Sequence, residues 1–241
     1  ADLGGIATAS HALAVGGLAE GANSTAVGSG SKATETGALA IGAQAHSRGE
    51  NAIAIGYNST ATYENAFVVG TGAVAEGVGA WAIGAGAHTT GNEAMAVGVE
   101  AKASGNNSMA LGSKARAMNV DATAIGYLSS AIGANSVSIG TRSQAAGTDS
   151  TTFGYQATTT SSYDMALGTN AAAEGPYSTA IGTNANAFGQ DSTAIGVNAY
   201  AGGNGAFAIG PGAVANGNNA FAIGLNAVAD GDESFAFGDG A

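Results

Sequence analysis

The stretch Asn51-Ala52-Ile53-Ala54-Ile55-Gly56 is one copy of a phrase that recurs along almost the whole chain. Further copies run from Asp191 to Gly196 and from Asn219 to Gly224. Each copy ends on a glycine, and these landmark glycines recur every 14 residues without an insertion; Gly16 precedes them at a spacing of 12. They are Gly28, Gly42, Gly56, Gly70, Gly84, Gly98, Gly112, Gly126, Gly140, Gly154, Gly168, Gly182, Gly196, Gly210, Gly224 and Gly238. A fixed period of this kind predicts a solenoid in which each repeat stacks on the one before it.

The residue types at each position of the repeat are restricted, and we number the positions from the landmark glycine as position 0. Position −1 is always Val, Ile, Leu or Phe, and position −3 is larger or β-branched, as in Trp81 and Met109. Positions −2 and −4 are small, with Val68 and Asp164 as the exceptions. Positions +3 and +5 are also small, whereas position +4 varies and includes Lys32. The pattern predicts two short strands per repeat, one buried on both faces and one buried on a single face.

Helix is excluded by the glycines, which cost about 1 kcal/mol each in a helix interior. Turns are predicted at position +7, which is usually glycine, and at position −5, which is usually Asn, Asp or Gly. Both residue types tolerate a left-handed backbone. The sequence therefore predicts an all-β fold of about sixteen 14-residue coils.

The alternation of large and small residues leaves two ways to orient the first strand. We expect the large residues at −1 and −3 to lie inside the coil, because large side chains facing the small ones at +3 and +5 fill the space between two sheets. Aromatic residues at −3 then belong to the packing, namely Phe67, Trp81, Phe207, Phe221 and Phe235. The reverse orientation stays open. Either way one apolar stripe remains uncovered in a single chain, and this predicts an obligate oligomer.

Composition excludes several classes of function. The chain has 241 residues and a net charge of −11, which argues against binding to a nucleic acid backbone or an anionic membrane surface. It has no cysteine, and no apolar run is long enough to span a bilayer. Because residue 1 is not methionine and no signal peptide is evident, we expect the chain to be part of a longer protein.

The phrases Asn23-Ser24-Thr25-Ala26-Val27-Gly28-Ser29-Gly30-Ser31 and Asn135-Ser136-Val137-Ser138-Ile139-Gly140-Thr141-Arg142-Ser143 resemble the NSVAIGxxS head repeat of trimeric autotransporter adhesins, the YadA-like family of Gram-negative bacteria. The resemblance covers residues 11 to 241 in sixteen in-phase copies. Several copies end in Ala where the motif has its final Ser, at Ala87, Ala101, Ala115 and Ala157.

The resemblance implies a left-handed parallel β-roll that forms a homotrimer around a threefold axis. It implies one head domain over residues 1–241, with regular repeats from about residue 11. A signal peptide, neck, stalk and membrane anchor are expected outside these residues. The implied location is the surface of a Gram-negative bacterium, displayed from the outer membrane. The implied partners are the host cell surface or matrix proteins of the collagen, fibronectin and laminin class, without membrane contact by this segment.

Candidate binding residues occupy the turns and the variable positions. Tyr side chains at positions +1 and +7 are predicted to be exposed and to contact a partner, because Tyr gives a large contact area at low entropic cost. A basic patch is predicted from three cationic residues. The complete set of possible ligand contacts is Tyr57, Tyr63, Tyr127, Tyr155, Lys114, Arg116 and Arg142.

No catalytic, cofactor or metal site is predicted. His46 and His88 share position +4 but lie three coils apart, and His11 is in a different phase. Carboxylates such as Glu50 and Glu64 are expected to form a solvated acidic ridge. The leading hypothesis is a non-catalytic adhesin head.

The first alternative to an adhesin head is a structural spacer or projection segment of a surface fibre. A second alternative is an enzyme on a left-handed β-helix, which the period of 14 and the isolated histidines disfavour. A third is an ice-binding protein, which requires flat ladders of exposed Thr. This is disfavoured because Thr at position −3 is expected to be buried.

Overall fold

The structure is a computed structural model that describes residues 4–241. Over these residues it contains β-strands, turns and bends and no helix. The chain divides into two compact units, of which unit 1 ends at Asp121 and unit 2 begins at Ala122. Each unit is a solenoid of parallel strands, and the predicted all-β fold with 14-residue coils is therefore confirmed.

Unit 1 contains two kinds of strand, of three residues and of two residues. Its three-residue strands are β2 (Leu13–Val15), β4 (Thr25–Val27), β6 (Leu39–Ile41), β8 (Ile53–Ile55), β10 (Phe67–Val69), β12 (Trp81–Ile83), β14 (Met95–Val97) and β16 (Met109–Leu111). Its two-residue strands are β1 (Ile6–Ala7), β3 (Leu18–Ala19), β5 (Lys32–Ala33), β7 (His46–Ser47), β9 (Thr60–Ala61), β11 (Val74–Ala75), β13 (His88–Thr89), β15 (Lys102–Ala103) and β17 (Arg116–Ala117).

Unit 2 has the same organisation. Its three-residue strands are β18 (Thr123–Ile125), β20 (Val137–Ile139), β22 (Thr151–Phe153), β24 (Met165–Leu167), β26 (Thr179–Ile181), β28 (Thr193–Ile195), β30 (Phe207–Ile209), β32 (Phe221–Ile223) and β34 (Phe235–Phe237). Its two-residue strands are β19 (Ser130–Ala131), β21 (Gln144–Ala145), β23 (Thr158–Thr159), β25 (Ala172–Ala173), β27 (Asn186–Ala187), β29 (Tyr200–Ala201), β31 (Val214–Ala215) and β33 (Val228–Ala229).

Within each unit, strands pair in parallel with the equivalent strand of the neighbouring coil. In unit 1, Phe67 lies in register with Ile53 on one side and with Trp81 on the other. The two-residue strands form a second ladder, in which Thr60 is in register with Val74. Equivalent residues of successive coils therefore form straight columns, spaced by the distance between hydrogen-bonded strands of about 4.8 Å.

Two tight turns separate the strands of every coil. In one, the Ala45 N–H donates to the Gly42 carbonyl at 3.1 Å, and Gln44 has a φ of 59°. In the other, the Ala52 N–H donates to the Gly49 carbonyl at 3.2 Å, and Asn51 has a φ of 54°. Each turn thus has a positive φ at its third residue, as type II turns require.

The turn analysis from the sequence is correct at position −5 and wrong at position +7. Position −5 is left-handed, as Asn51 shows, but the other turn has its left-handed residue at +2, where most coils have Gly or Asn and the sequence analysis missed this signal. Gly49, at position +7, does not adopt a positive φ in the left-handed range. A Cβ there would instead collide with the Tyr63 carbonyl of the next coil, so this glycine provides space for close stacking.

The core contains the small residues, which corrects the expected orientation of the first strand. Positions −2, −4, +3 and +5 are buried, as in Ala52, Ala54, Ala73 and Ala75, whereas positions −1 and −3 point outward. Each half of the coil has only seven residues, including a tight turn, so the two sheets lie close together. Only side chains up to the size of Val68 and Thr152 are accommodated between them.

Buried serines donate hydrogen bonds to turn carbonyls. Ser31 Oγ donates to the Gly28 carbonyl at 2.8 Å, and Ser59 repeats this contact with Gly56 at 2.9 Å. In the other half of the coil, Ser136 Oγ donates to the Gly133 carbonyl at 2.7 Å. In these coils Ser takes the place of Ala because the hydroxyl finds a partner within its own turn, whereas the buried hydroxyls of Ser24 and Ser192 have no hydrogen-bond partner among residues 4–241.

Within residues 4–241, Asp164 is the charged exception in the core and is 1% exposed. Its Oδ2 accepts the Ser161 N–H at 2.7 Å, and its Oδ1 accepts the Ser178 N–H at 3.1 Å. Burial raises the pKa of this carboxyl, and the hydrogen bonds from Ser161 and Ser178 offset part of that effect. Ionisation of this carboxyl is therefore less favourable in the folded chain than in the unfolded chain.

Replacing a landmark glycine should destabilise the fold. In Gly42→Ala the new Cβ would lie 2.6 Å from the Gly56 carbonyl oxygen, at a φ of +127°, so we expect a loss of at least about 1–3 kcal/mol in the free energy of unfolding. Gly72→Asn is the control, since Gly72 has open space around it and Asn occurs at the same position, as in Asn58. Chemical denaturation should place the control within about 0.5 kcal/mol of the unmodified chain. Equal stability of the two variants would contradict the steric explanation.

Removing the Asp164 carboxylate should change how stability depends on pH. A raised folded pKa means that the native state binds more protons than the unfolded state, so stability falls as pH rises from the ordinary Asp value through the raised one. Asp164→Asn and Asp164→Ser, the latter matching Ser150 and Ser178 at this position, should both lack that decline. Chemical denaturation at a series of pH values from about pH 4 upward measures the decline in the free energy of unfolding. A decline that persists unchanged in both variants would show that Asp164 is not its source.

Candidate functional site

The tyrosines predicted to be exposed lie on the surface of their units. Tyr57 and Tyr63 are exposed in unit 1, and Tyr127 and Tyr155 are exposed in unit 2. Tyr57, Tyr127 and Tyr155 follow a landmark glycine directly, and Tyr63 is the first residue of a turn. Their exposure is confirmed, and their role in binding a partner stays a prediction.

A second pair of exposed tyrosines was missed by the sequence analysis. Tyr163 and Tyr177 are 54% and 56% exposed, and their rings stack with centroids 5.0 Å apart and planes 2° from parallel. Both occupy position −5 with φ values of 65° and 64°, where most coils have Asn, Asp or Gly. Their shared position in consecutive coils was a signal that the sequence already contained.

The basic residues predicted as a patch have different surroundings. Lys114 and Arg116 lie in the same coil of unit 1, and Lys114 forms an ion pair with Glu100 at 3.8 Å. Arg116 is in register with Lys102 of the preceding coil. Arg142 is exposed in unit 2, at a left-handed turn position with a φ of 60°.

The histidines at position +4 have separate neighbours. Strands β9 and β11 lie between the strand of His46 and that of His88, so the predicted three-coil separation is confirmed. His88 Nε2 is 3.4 Å from Glu76 Oε2. His46 Nδ1 accepts from Arg48 at 3.2 Å. Desolvation by burial lowers the pKa of His46, and the charges of Arg48 and Lys32 lower it further.

Turn carboxylates accept hydrogen bonds from asparagines of the preceding coil. Asn135 Nδ2 donates to Asp149 Oδ1 at 2.9 Å, and Asn107 Nδ2 donates to Asp121 Oδ1 at 3.2 Å. Across residues 4–241 no three His, Asp or Glu side chains are grouped so as to hold a metal ion. No helix long and apolar enough to cross a membrane occurs in the same residues.

The final residue of the NSVAIGxxS phrase lies in the core. Ser31 and Ser143 at this position are 0% and 1% exposed, and their hydroxyls donate to turn carbonyls. Ala87 and Ala101, which replace the serine, are equally buried. The exchange of Ser for Ala therefore changes the core packing and leaves the surface of the coil unaltered.

The outward face of the three-residue strands is a ribbon of large apolar side chains, which we call the apolar face and which comprises positions −1 and −3. In unit 1, Trp81 is 46% exposed and contacts Phe67 with ring centroids 5.4 Å apart. In unit 2, Phe153 is 56% exposed and Phe235 is 65% exposed. The aromatic residues at −3 are thus packed against each other along the surface and are not inside the coil, contrary to expectation.

Threonines at position −3 belong to this outward face as well. Thr179 and Thr193 are adjacent in register and half-buried, so the expectation that Thr at this position is buried in the core is wrong. Met165 precedes Thr179 and Phe207 follows Thr193 in the same column. The threonines therefore do not form a continuous ladder in unit 2.

These features define a class of protein: a repeat solenoid whose turns carry variable polar residues and whose three-residue sheet carries an uncovered apolar face. The family model for the YadA head domain repeat matches the chain over most of its length. The matched residues are 19–45, 47–73, 75–98, 90–115, 119–143, 131–157, 145–171, 160–185, 173–199, 187–213, 201–227 and 215–241. The chain therefore belongs to the family of YadA head domain repeats, and the predicted family is confirmed.

Among solved structures, the chain is similar to the collagen-binding domain of the Yersinia adhesin YadA. The two share 28% sequence identity over 61% of this chain and 66% of that one, with a TM-score of 0.42. The match thus spans just under two thirds of the length of that domain. Comparison with curated proteins gave no match.

Proposed function

We propose that the protein is the head of a bacterial surface adhesin that attaches to host cells or to the extracellular matrix. Membership of the YadA head repeat family supports the adhesin assignment. The apolar face is the observation that carries the proposal, because it requires an assembly that a single chain does not provide. The proposed role is non-catalytic, with the head displayed from the outer membrane of a Gram-negative bacterium.

The assembly that covers the apolar face is proposed to be a homotrimer. The face is formed by consecutive coils in each unit, and large side chains such as Ile55 and Ile83 stand in straight columns on it. Contiguous apolar surface of this extent is uncommon on soluble monomers and marks an interface. A closed ring of identical chains covers the same face on every subunit. The left-handed sense of the coil is part of this proposal.

Ligand contacts are proposed to come from the turns and from the outer face of the two-residue sheet. The core residues are unavailable, and the apolar face is occupied in the proposed trimer. The exposed tyrosines Tyr57, Tyr63, Tyr127 and Tyr155 provide contact area, and Lys114, Arg116 and Arg142 provide charge. Collagen, fibronectin and laminin are the proposed partners, bound through weak contacts repeated over many coils and three chains.

The assembly can be tested by the mass of the chain in solution. Light scattering should give the mass of three chains. Ile55→Lys places a charge on the apolar face, and burying that charge in an interface is costly, so the trimer should dissociate. Thr60→Lys, on the opposite sheet, is the control and should remain trimeric. A stable monomer of the unmodified chain would contradict the proposed interface.

Attachment can be tested by solid-phase binding to collagen, fibronectin, laminin and cultured host cells. We expect saturable binding of the trimer to at least one of these surfaces, and weaker binding when Tyr127 and Tyr155 are both changed to Ser. The matched control changes Thr141 and Thr183, which are exposed at the same repeat position, to Ser. Failure to bind every surface would favour the alternative of a structural spacer in a surface fibre.

A further inference from the structure

The outer face of the two-residue sheet in unit 1 carries a row of cationic and titratable residues. Five of the positions +4 in unit 1 are Lys, Arg or His, and we call these residues the basic column. They are Lys32, His46, His88, Lys102 and Arg116. Strand register places Lys32 beside His46, and places Lys102 between His88 and Arg116.

Position +4 excludes acidic residues even though the protein as a whole is acidic. The chain has 17 Asp and Glu residues against 6 Lys and Arg, yet no Asp or Glu occupies position +4 in any regular coil. Like charges in register on neighbouring strands repel one another and reduce stability. Lys102 and Arg116 are nevertheless neighbours, both exposed, and neither forms an ion pair with another described residue.

Hydroxyl side chains flank the basic column at position +6. Thr34, Thr62, Thr90 and Ser104 lie there, and Arg48 adds a cation beside His46. Glu76 is the acidic residue at this flank in the middle of the column, where it contacts His88. No Phe, Tyr or Trp occupies position +4 or +6 of unit 1, so these positions lack the large aromatic side chains on which the bases of a single-stranded nucleic acid stack.

We propose that the basic column binds a sulfated polysaccharide. A linear chain with regularly repeated sulfate groups complements this straight column, in which Lys102 and Arg116 are neighbouring cations about 4.8 Å apart. Lys32 is a further cation beyond Thr60 and Val74. The neighbouring Thr and Ser hydroxyls can donate to or accept from sugar hydroxyls. The opposite sheet carries the apolar face, so the column stays accessible in the proposed trimer. This inference rests on the proposed function, of which it specifies one ligand class and its location.

Heparin is the probe, and its binding to the trimeric 241-residue chain is measured by surface plasmon resonance over a salt series. We expect binding at low salt that weakens steeply as salt rises, because counterions are released from a linear polyanion. Lys102→Gln with Arg116→Gln should weaken binding by about threefold to thirtyfold, given the modest strength of exposed charge contacts. Lys114→Gln, outside the column and paired with Glu100, should have a smaller effect.

A variant that gains heparin binding is needed as well, because misfolding alone could explain a loss of binding. Val74→Lys with Glu76→Gln fills one of the two non-basic positions at the centre of the column, Thr60 being the other, and raises the net charge by two, so heparin binding should strengthen by a similar factor. Thr183→Lys with Val197→Lys adds the same charge at exposed positions of unit 2 and should strengthen heparin binding much less. Equal gains in the two variants would show that only net charge matters and would overturn the proposal.

The same preparations separate this inference from the proposed function. Weaker heparin binding by Lys102→Gln alone, a residue outside the proposed matrix contacts, with trimer mass and matrix-protein binding retained, supports the basic column as a separate polysaccharide site. If the unmodified trimer binds matrix proteins but not heparin, the polysaccharide site is overturned and the proposed adhesin function is not. DNA or polyglutamate binding as tight as heparin would overturn the assignment to a sulfated polysaccharide.

Discussion

The structure depends on how closely the backbones of successive coils approach at the landmark glycines. Gly126 has a φ of +129°, and a Cβ on it would lie 2.6 Å from the carbonyl oxygen of Gly140. Only glycine satisfies both conditions, the backbone conformation and the contact. Because the same conditions recur in each coil, the period of the sequence is fixed by the stacking itself and admits no insertion within a coil.

Close stacking and tight turns together determine the composition of the core. Each half of a coil has a turn with a positive φ at its third residue, followed by small residues that face the other sheet, as in Gln44 with Ala45 and in Asn51 with Ala52. The sheets are therefore too close for large side chains. The large residues that every coil requires for hydrophobic stabilisation are placed outside, where a second chain must cover them.

Sequence reasoning predicted the period, the two strands and the stacking of successive coils, because glycine spacing and residue size report directly on these features. It placed the large residues inside because large-against-small packing is a sound rule when the sheet separation is unknown. The turns fix that separation, and the prevalence of Gly and Asn at position +2, as in Gly72 and Asn58, is the sign of a left-handed turn residue that was missed. The basic column and the Tyr163–Tyr177 stack were missed because positions +4 and −5 were described only as variable and as a turn, without regard to which side chains neighbouring coils place side by side.

A solenoid of this kind separates the positions that maintain the fold from those that are free to recognise a ligand. Positions 0, +3 and +5 are restricted by stacking and core packing, and positions −1 and −3 by the apolar face. The turns and positions +4 and +6 retain freedom, and any residue type selected there in successive coils becomes a row with fixed spacing. Lys102 beside Arg116 and Tyr163 beside Tyr177 are two such rows, formed without any change in the backbone. Binding sites on this fold therefore arise where the same residue type is repeated at one position in successive coils. The strength of binding grows with the number of coils that carry that residue type.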